Sequence, residues 1–327
     1  MPRLPYSVVD VFSSLPYKGN PLAVVDNTTD SLTLTKTQMQ LIARQFNLSE
    51  TTFICPPTKP GSTYRLRSFL PNGEEVFGAG HNSLGAWWHI ADSRLVELRD
   101  TESTVFHQEL GDSVLPVEVS RSAQGEILIT MSQGAPQLLE RHPDKSTLAE
   151  ALGIDSSDIG FEYNGKSMAQ PQVVTTSPAR HLLVPIRNRE TLSGIDFSNS
   201  DAIARELAKT NSHNSGVYAF TPVGETDGVR NLEARFFSPG MGMEDPATGS
   251  AAGPLAFFLC GNGLVRALSE GNVEVQVAQG LKKGRECVMR LLVRRDVETD
   301  SLKIQISGTG VLVSEGTLVV PSPDISF

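Results

Sequence analysis

Apolar residues near the start of the chain fall into two short blocks separated by turn-forming residues. Residues 6–12 are rich in β-branched and aromatic side chains, and a second apolar run covers residues 22–25. Lys-Gly-Asn-Pro at 18–21 lies between them and favours a turn. These three segments predict a β-hairpin.

The pattern then changes to a helical period. Thr35, with Gln38 three positions later, matches the capping box that begins many helices. Apolar residues follow at helical spacing as far as Phe46, and residues 51–55 again form a β-rich run. We therefore predict a helix that is apolar on one face, followed by a strand.

A strand–turn–helix pattern occurs twice in the chain. Arg-Ser-Phe-Leu-Pro at 67–71 precedes an apolar helix through 84–88, and Arg-Phe-Phe-Ser-Pro at 235–239 precedes another through 252–256. Four residue types recur exactly 168 positions apart in one register, at Arg67 and Arg235, Phe69 and Phe237, Pro71 and Pro239, and Gly85 and Gly253.

Each copy also carries Ile-Ala-Arg further upstream, at 42–44 and 203–205, where the offset is 161 and indicates a small insertion in the second copy. Two copies are too few for a stacked solenoid, so duplication of one α/β unit explains the order better. The alternative is two generic strand–turn–helix units that share these residues by chance. Residues 111–136 would join the halves, and late strands at 273–277, 288–293 and 302–306 would complete the second.

Both copies of the repeated helix begin in small residues, at 78–83 and at 245–250. Free backbone N–H groups and the positive end of the helix dipole favour an anion at such a position. If the halves are related by a twofold axis, both helix starts would hold a carboxylate substrate and stabilise an enediolate-like charge. A phosphate site is the competing interpretation, but the chain has neither the third glycine of a dinucleotide fingerprint nor a GxxxxGK[ST] motif.

Composition narrows the function classes. The 327 residues carry a formal net charge of −9, and no Lys/Arg cluster offsets it, so nucleic acid is not expected as a partner. Cys55, Cys260 and Cys287 form no CxxC pair and no zinc set, and buried free thiols in a reducing compartment are expected. The absence of an apolar signal core or of a membrane-spanning stretch predicts a cytoplasmic protein.

Five motifs together resemble the phenazine-biosynthesis (PhzF-like) isomerase family, which has the diaminopimelate-epimerase-like fold. They lie in the family's order at 10–12, 19–24, 48–53, 80–85 and 244–251, and Ser-Glu-Thr-Thr-Phe and Glu-Asp-Pro-Ala-Thr-Gly-Ser are the most specific. The resemblance implies an α+β fold of two pseudo-symmetric halves, each a barrel-like sheet around a central helix, with the active site between them. The halves would be 1–130 and 131–309, and strands at about 310–327 are candidates to return to the first. The resemblance also implies a homodimer that uses no metal or organic cofactor.

The resemblance further implies that Glu50 is the acid/base, with His81 and Asp245 beside it. Residues that would hold the substrate are Asn20, Ser49, Gly80, Asn82, Ser83, Gly249 and Ser250. A glutamate at the end of an element, partly desolvated, is chemically suited to moving a proton. Without the family pattern, Glu50 would be a solvated helix-end residue, His81 a capping or packing histidine and Asp245 a helix cap.

Two departures bear on the chemistry. Epimerases of this fold use a cysteine at each helix start, whereas Gly80 and Asp245 are assigned to those places here, which leaves one-base transfer through Glu50. The resemblance also leads us to expect a small residue or proline followed by threonine after Gly-His, and small residues further along the helix, where this chain has Asn82-Ser83 and Trp87-Trp88. The tryptophans would either shape a larger pocket or pack in the core.

The expected activity is therefore isomerisation of a small unsaturated or hydroxylated carboxylic acid, in which Glu50 removes a proton and either Glu50 or an acid near Asp245 protonates a different carbon. Two alternatives stay open. One is a lyase in which the same carbanion expels a leaving group, and the other is a catalytically silent ligand-binding or interaction protein of the same fold. A metal hydrolase is discarded, because His81, His89 and His107 offer no ligand cluster.

Overall fold

The chain folds into two units of mixed α and β structure. A computed structural model describes residues 2–28, 32–78, 80–99, 103–163, 165–176, 179–212, 215–226, 229–265, 273–295 and 302–327. The first unit comprises Met1–Met131 and Ser307–Phe327, and the second comprises Ser132–Ile306.

The elements are numbered along the chain. Up to the end of the first unit's main segment they are β1 Arg3–Val11, β2 Asn20–Asp26, α1 Lys36–Phe46, β3 Glu50–Cys55, β4 Tyr64–Phe69, β5 Glu75–Val76, α2 His81–Asp92, β6 Thr104–Leu110, β7 Ser113–Arg121 and β8 Ile127–Ser132. They continue as β9 Gln137–Arg141, α3 Lys145–Leu152, β10 Phe161–Tyr163, β11 Lys166–Met168, β12 Gln172–Thr175, β13 Arg180–Pro185, α4 Arg189–Gly194, α5 Ser200–Ala208, β14 Val217–Thr226, β15 Val229–Ser238 and β16 Met243–Asp245. The last are α6 Gly249–Gly261, β17 Val273–Gln279, β18 Cys287–Arg295, β19 Leu302–Gly308 and β20 Gly310–Val319, with short 3₁₀ turns at Ser156–Asp158 and Leu281–Lys283.

The two units repeat one order of strand pairing. In the first unit β1 lies antiparallel to β2 and β20, β2 is parallel to β3, β3 is antiparallel to β4, and β4 is antiparallel to β5 and parallel to β6. In the second unit β12 lies antiparallel to β13 and β9, β13 is parallel to β14, β14 is antiparallel to β15, and β15 is antiparallel to β16 and parallel to β17. The duplication inferred from the sequence thus extends to the register of the strands.

The repeated arginines make the same contact in both units. Arg67 on β4 donates two hydrogen bonds to the carboxylate of Glu75, at 2.7 and 2.8 Å. Arg235 on β15 donates two to Glu244, at 2.8 and 2.9 Å, and reaches three backbone carbonyls besides. Such bidentate pairs fix geometry as well as charge. In each unit the repeated arginine therefore links the two strands of the hairpin that precedes the repeated helix.

Helix α2 is buried around almost its whole circumference, which is expected only of a helix inside a unit. A Cβ atom on Gly85 would lie 2.6 Å from Val11 Cγ2 and 2.7 Å from Leu22 Cδ2, so only glycine allows this approach to β1 and β2. Trp87 and Trp88 are both buried, and Trp87 Nε1 donates to Gln108 Oε1 at 3.1 Å. The prediction that the tryptophans pack in the core is confirmed.

Several local predictions are confirmed by the elements. The first hairpin is present as β1 and β2, and the Thr35–Gln38 capping box begins α1 with both of its hydrogen bonds. Both Ile-Ala-Arg segments lie in helices, α1 and α5. The segment expected to join the halves, 111–136, consists mainly of strands β7 and β8.

None of the cysteines in the described residues forms a disulfide. Cys55 and Cys287 are buried as expected, and Cys260 is partly exposed. Burial raises the pKa of the Cys55 thiol, and it raises that of Cys260 to about 11. None of the helices described is both long enough and apolar enough to cross a bilayer.

The Arg67–Glu75 pair predicts a specific dependence of stability on pH. Burial alone would raise the pKa of Glu75, but Arg67 and Lys36 outweigh it and hold the pKa below its ordinary value of 4.5. A carboxylate with a lowered folded-state pKa stabilises the protein above pH 4.5, and this stabilisation is lost as the pH falls through the lower value. We expect Glu75→Gln to reduce the loss of unfolding free energy below pH 4.5, measured by urea unfolding at several pH values. Equal slopes for the two proteins would contradict this assignment.

Candidate active site

Glu50 and His81 form a close pair in the first unit. Glu50 begins β3, beside Leu22 of the parallel strand β2, and His81 is the first residue of α2. His81 Nε2 lies 2.9 Å from Glu50 Oε2, with side-chain exposures of 9% and 19%. The carboxylate is therefore held on one side by an imidazole and remains accessible on the other, as a proton-transfer group must be.

Asn20 and Ser49 flank this pair. Asn20 begins β2 and is fully buried, while Ser49 directly precedes Glu50 and is partly exposed. Ser49 Oγ lies 3.4 Å from Asn20 Oδ1 and donates to it. Because β2 and β3 are parallel, their amino-terminal ends lie at the same edge of the sheet and place these residues together.

The remaining residues predicted in this unit shape the start of α2. Asn82 Oδ1 accepts from the backbone N–H of Gly80 at 2.9 Å, and its Nδ2 donates to Ser68 Oγ and to the Gly78 carbonyl, both at 3.1 Å. Ser83 is fully buried. Ala79, within the predicted motif, lies outside the described residues. Asn82 thus holds the turn that presents Gly80 and His81.

Asp245 ends β16 at the approach to α6. Its Oδ2 accepts from Thr248 Oγ1 at 2.6 Å, and Gln279 Nε2 donates to the Asp245 carbonyl at 2.8 Å and to Thr248 Oγ1 at 3.0 Å. Complete burial raises the pKa of Tyr218 well above its ordinary value, and the charge of Asp245 adds to this. Asp245 is therefore part of a network that fixes the first turn of α6.

Gly249 and Ser250 are the first two residues of α6. Gly249 is buried, whereas Ser250 is exposed even though its hydroxyl lies 3.0 Å from Nε2 of a buried histidine, His181. His181 was not predicted from the sequence. A lone histidine on a strand shows no spacing pattern, and its partner Ser250 is 69 positions away.

The register of the duplication identifies counterparts of the catalytic candidates. Thr51 lies opposite Phe69 in the first unit, and Val217 lies opposite Phe237 in the second. Because Phe69 and Phe237 are equivalent in the duplication, Thr51 corresponds to Val217. The residues that precede them, Glu50 and Gly216, therefore correspond as well. His81, four residues before Gly85, corresponds to Gly249, four residues before Gly253. The Glu50–His81 pair of the first unit thus has two glycines as its counterpart.

A residue with a side chain could not replace Gly216 unless the neighbouring residues moved. A Cβ atom there would lie 2.5 Å from the Phe237 carbonyl oxygen and 2.6 Å from the ring of Phe236. The same register makes Thr248 the counterpart of Gly80 within the duplication. Within the described residues no three His, Cys, Asp or Glu side chains are grouped as metal ligands would be.

Comparisons with known proteins agree with the motifs. The trans-2,3-dihydro-3-hydroxyanthranilate isomerase of Pseudomonas chlororaphis is 32% identical over 319 residues, covering 96% of this chain and 99% of the relative. A protein of Clostridium acetobutylicum named only as an uncharacterized isomerase is 30% identical, covering 95% and 97%. Both of these relatives match almost the whole chain and are named isomerases, so the predicted enzyme class is confirmed.

The family and the fold follow from two further matches. The family described as phenazine biosynthesis-like protein (PhzC-PhzF) matches residues 9–316, so the chain belongs to that family. The crystal structure of a PhzF-family protein from Bacillus anthracis superposes with a TM-score of 0.81 at 25% identity, covering 98% of this chain and all of that one. A probable proline racemase from Agrobacterium radiobacter, 11% identical with a TM-score of 0.60 over 98% of this chain and 94% of its own, shares the fold alone.

Proposed function

We propose that this isomerase moves a proton between two carbons of a small carboxylic acid, with Glu50 as the only acid/base. The observation that carries the proposal is the 2.9 Å pair of Glu50 and His81, whose counterparts are Gly216 and Gly249. A two-base mechanism built on the duplication would need an ionisable side chain in each unit at matching places. The second unit has none at those places.

In the proposed reaction the Glu50 carboxylate removes a proton from an activated carbon of the substrate. The C–H bond breaks as an O–H bond forms, and the electron pair spreads over the conjugated acid. Glu50 then returns the proton to a different carbon of the same anion, so that a double bond has moved and the enzyme is restored. His81 Nε2 keeps one carboxylate oxygen in place, which leaves the other to carry the proton.

The anionic intermediate requires donors fixed in advance. We propose that the first turn of α6, with the exposed hydroxyl of Ser250, holds the substrate carboxylate, and that the first turn of α2 acts on the developing charge. Backbone N–H groups at a helix start have no partner within the helix and lie at the positive end of its dipole. Asp245 and Asn82 support these turns through the contacts described above.

The substrate class follows from the relatives. Several full-length relatives are named trans-2,3-dihydro-3-hydroxyanthranilate isomerases, and we propose a cyclic, unsaturated or hydroxylated carboxylic acid of this type. We further propose that the units are two pseudo-symmetric halves and that the protein is a homodimer of the cytoplasm. The repeated strand pairing supports the first of these statements. The predicted position of the active site, between the halves, stays a prediction.

Hydrogen exchange tests the proposed reaction. Protein treated with a chelator would be incubated in D₂O with trans-2,3-dihydro-3-hydroxyanthranilate and with related cyclic carboxylic acids, and the products would be analysed by NMR. We expect a shifted double bond in every turnover, and deuterium at the carbon that gains the proton in those turnovers in which the proton on the partly exposed Glu50 exchanges with D₂O before it returns. Loss of a β-substituent would identify a lyase instead, and absence of any reaction with the whole panel would contradict the proposed substrate class.

A further inference from the structure

We infer that His181 is a positioning residue that turns the hydroxyl of Ser250 outward as a hydrogen-bond donor to the substrate carboxylate. This inference rests on the proposed function for the role of Ser250. The role of His181 itself rests on its two hydroxyl partners, Ser215 and Ser250, in the second unit.

The three residues form a continuous chain of hydrogen bonds. His181 lies on β13, Ser215 lies just before β14, and Ser250 is the second residue of α6. Ser215 Oγ is 2.9 Å from His181 Nδ1, and Ser250 Oγ is 3.0 Å from His181 Nε2. The edge-on ring of Phe236, with ring centroids 5.3 Å apart, packs against the imidazole and fixes its plane.

Burial determines how many protons the imidazole carries. Complete burial lowers the pKa of His181 to about 4, so the ring is neutral at neutral pH and has one N–H group. One ring nitrogen therefore donates and the other accepts. The position of that single proton decides which of the two serines keeps a free O–H group.

The surroundings of the serines decide the position of the proton. If Nδ1 carried it, Ser250 would donate to Nε2, and the hydroxyl proton of the buried Ser215 would lose His181, the one acceptor that its hydrogen bonds to the described residues provide. A buried donor without a partner is costly. If Nε2 carries it, Ser215 donates to Nδ1, and the free O–H belongs to Ser250, which is exposed.

In the second arrangement the hydroxyl group of Ser250 is a hydrogen-bond donor with a fixed orientation. Its oxygen accepts from His181 Nε2, so its proton must point away from the interior. A carboxylate bound at the start of α6 would find this proton already placed, together with the backbone N–H groups of the first turn. A hydrogen bond whose geometry is fixed before binding loses less entropy when the ligand arrives.

The tautomer can be measured directly. Protein labelled with ¹⁵N-histidine gives two-bond correlations that distinguish a protonated Nε2 from a protonated Nδ1. The His181 signals among the six histidines would be identified from their absence in His181→Gln. We expect a neutral Nε2–H ring throughout pH 5.5–8. A protonated Nδ1, or a charged ring in that range, would overturn the inference, and neither result depends on activity.

Kinetics then test whether His181 acts through Ser250. With trans-2,3-dihydro-3-hydroxyanthranilate, we expect Ser250→Ala and His181→Leu each to raise KM about tenfold or more, with kcat changed far less, because both remove ground-state binding. His181→Gln retains a side-chain N–H on the Ser250 side and should restore KM to within about threefold of the parent value. Both histidine variants would first be checked for an unchanged near-UV circular dichroism spectrum.

The double variant separates positioning from a merely structural role. In the Ser250→Ala background, His181→Leu should have no further effect on KM, since the hydroxyl that it positions is gone. An equal increase in both backgrounds would show that His181 acts independently of Ser250 and would overturn the inference. If the parent protein does not convert this acid, the proposed substrate fails, and the tautomer measurement still decides the role of His181.

Discussion

Glu50→Gln is expected to reduce the rate of proton transfer by about 10²–10⁴-fold, the usual contribution of a general acid/base. Glutamine has nearly the same shape and can keep the close approach to His81 Nε2, so the local structure should persist. It cannot carry the proton. The rate would be measured as deuterium incorporation in D₂O and as turnover under the same conditions.

The matched control is Glu74→Gln, which changes an exposed glutamate of the same unit and should leave the rate unchanged. If Glu50→Gln retained exchange within a few-fold of the parent protein, Glu50 would not be the acid/base, and the proposed mechanism would be wrong. Exchange of a substrate proton in the absence of enzyme would be subtracted in both cases.

Arg235→Leu is expected to lower the free energy of unfolding by about 3–5 kcal/mol, because it leaves a largely buried carboxylate without its partner. Glu244 would lose both of its hydrogen bonds with Arg235. The carbonyls of Leu192, Ser193 and Ile195 would each lose a donor as well. Urea unfolding followed by circular dichroism measures the change.

The duplication supplies the comparison. Arg67 makes the same bidentate contact with Glu75, but it is somewhat more exposed than Arg235. Its hydrogen bonds to the described residues also include no matching set of three backbone carbonyls. We therefore expect Arg67→Leu to lower the free energy of unfolding by less than Arg235→Leu does. Replacing Arg235 and Glu244 together by leucine should recover part of the loss, since the uncompensated charge is gone. A double variant as unstable as Arg235→Leu alone would show that Glu244 is not the source of the cost.

The sequence was most informative where a pattern is local or repeated. The capping box at Thr35 needs only four consecutive residues, and the structure confirms it. The 168-residue register predicted two equivalent strand–helix units, and the equivalent pairing of β4 and β15 confirms this. The glutamate partners of the repeated arginines were not predicted, because they lie eight and nine residues away and fall out of register by one position.

Contacts between residues distant in sequence could not be worked out from local patterns, and only the family resemblance placed His81 beside Glu50. Glu50 and His81 were proposed from their motifs, yet their 2.9 Å contact depends on where β3 and α2 lie within the unit. His181 meets Ser215 across 34 positions only because β13 and β14 pair in parallel. Helices α3 and α4 were also not predicted, since they are short and lie outside the repeated motifs.

The two glycines at 216 and 249 have a stereochemical consequence. A planar anion has two faces, and a racemase inverts a centre by taking the proton from one face and supplying another to the opposite face. With a carboxylate in only one of the two duplicated positions, we expect the proton to leave and return on the same face, so that the shift is suprafacial. With a substrate labelled stereospecifically with deuterium, we therefore expect the new C–H bond of the product to lie on the face from which the hydrogen was removed. Although this chain shares its fold with a probable proline racemase, we therefore expect it to move a double bond without inverting a stereocentre.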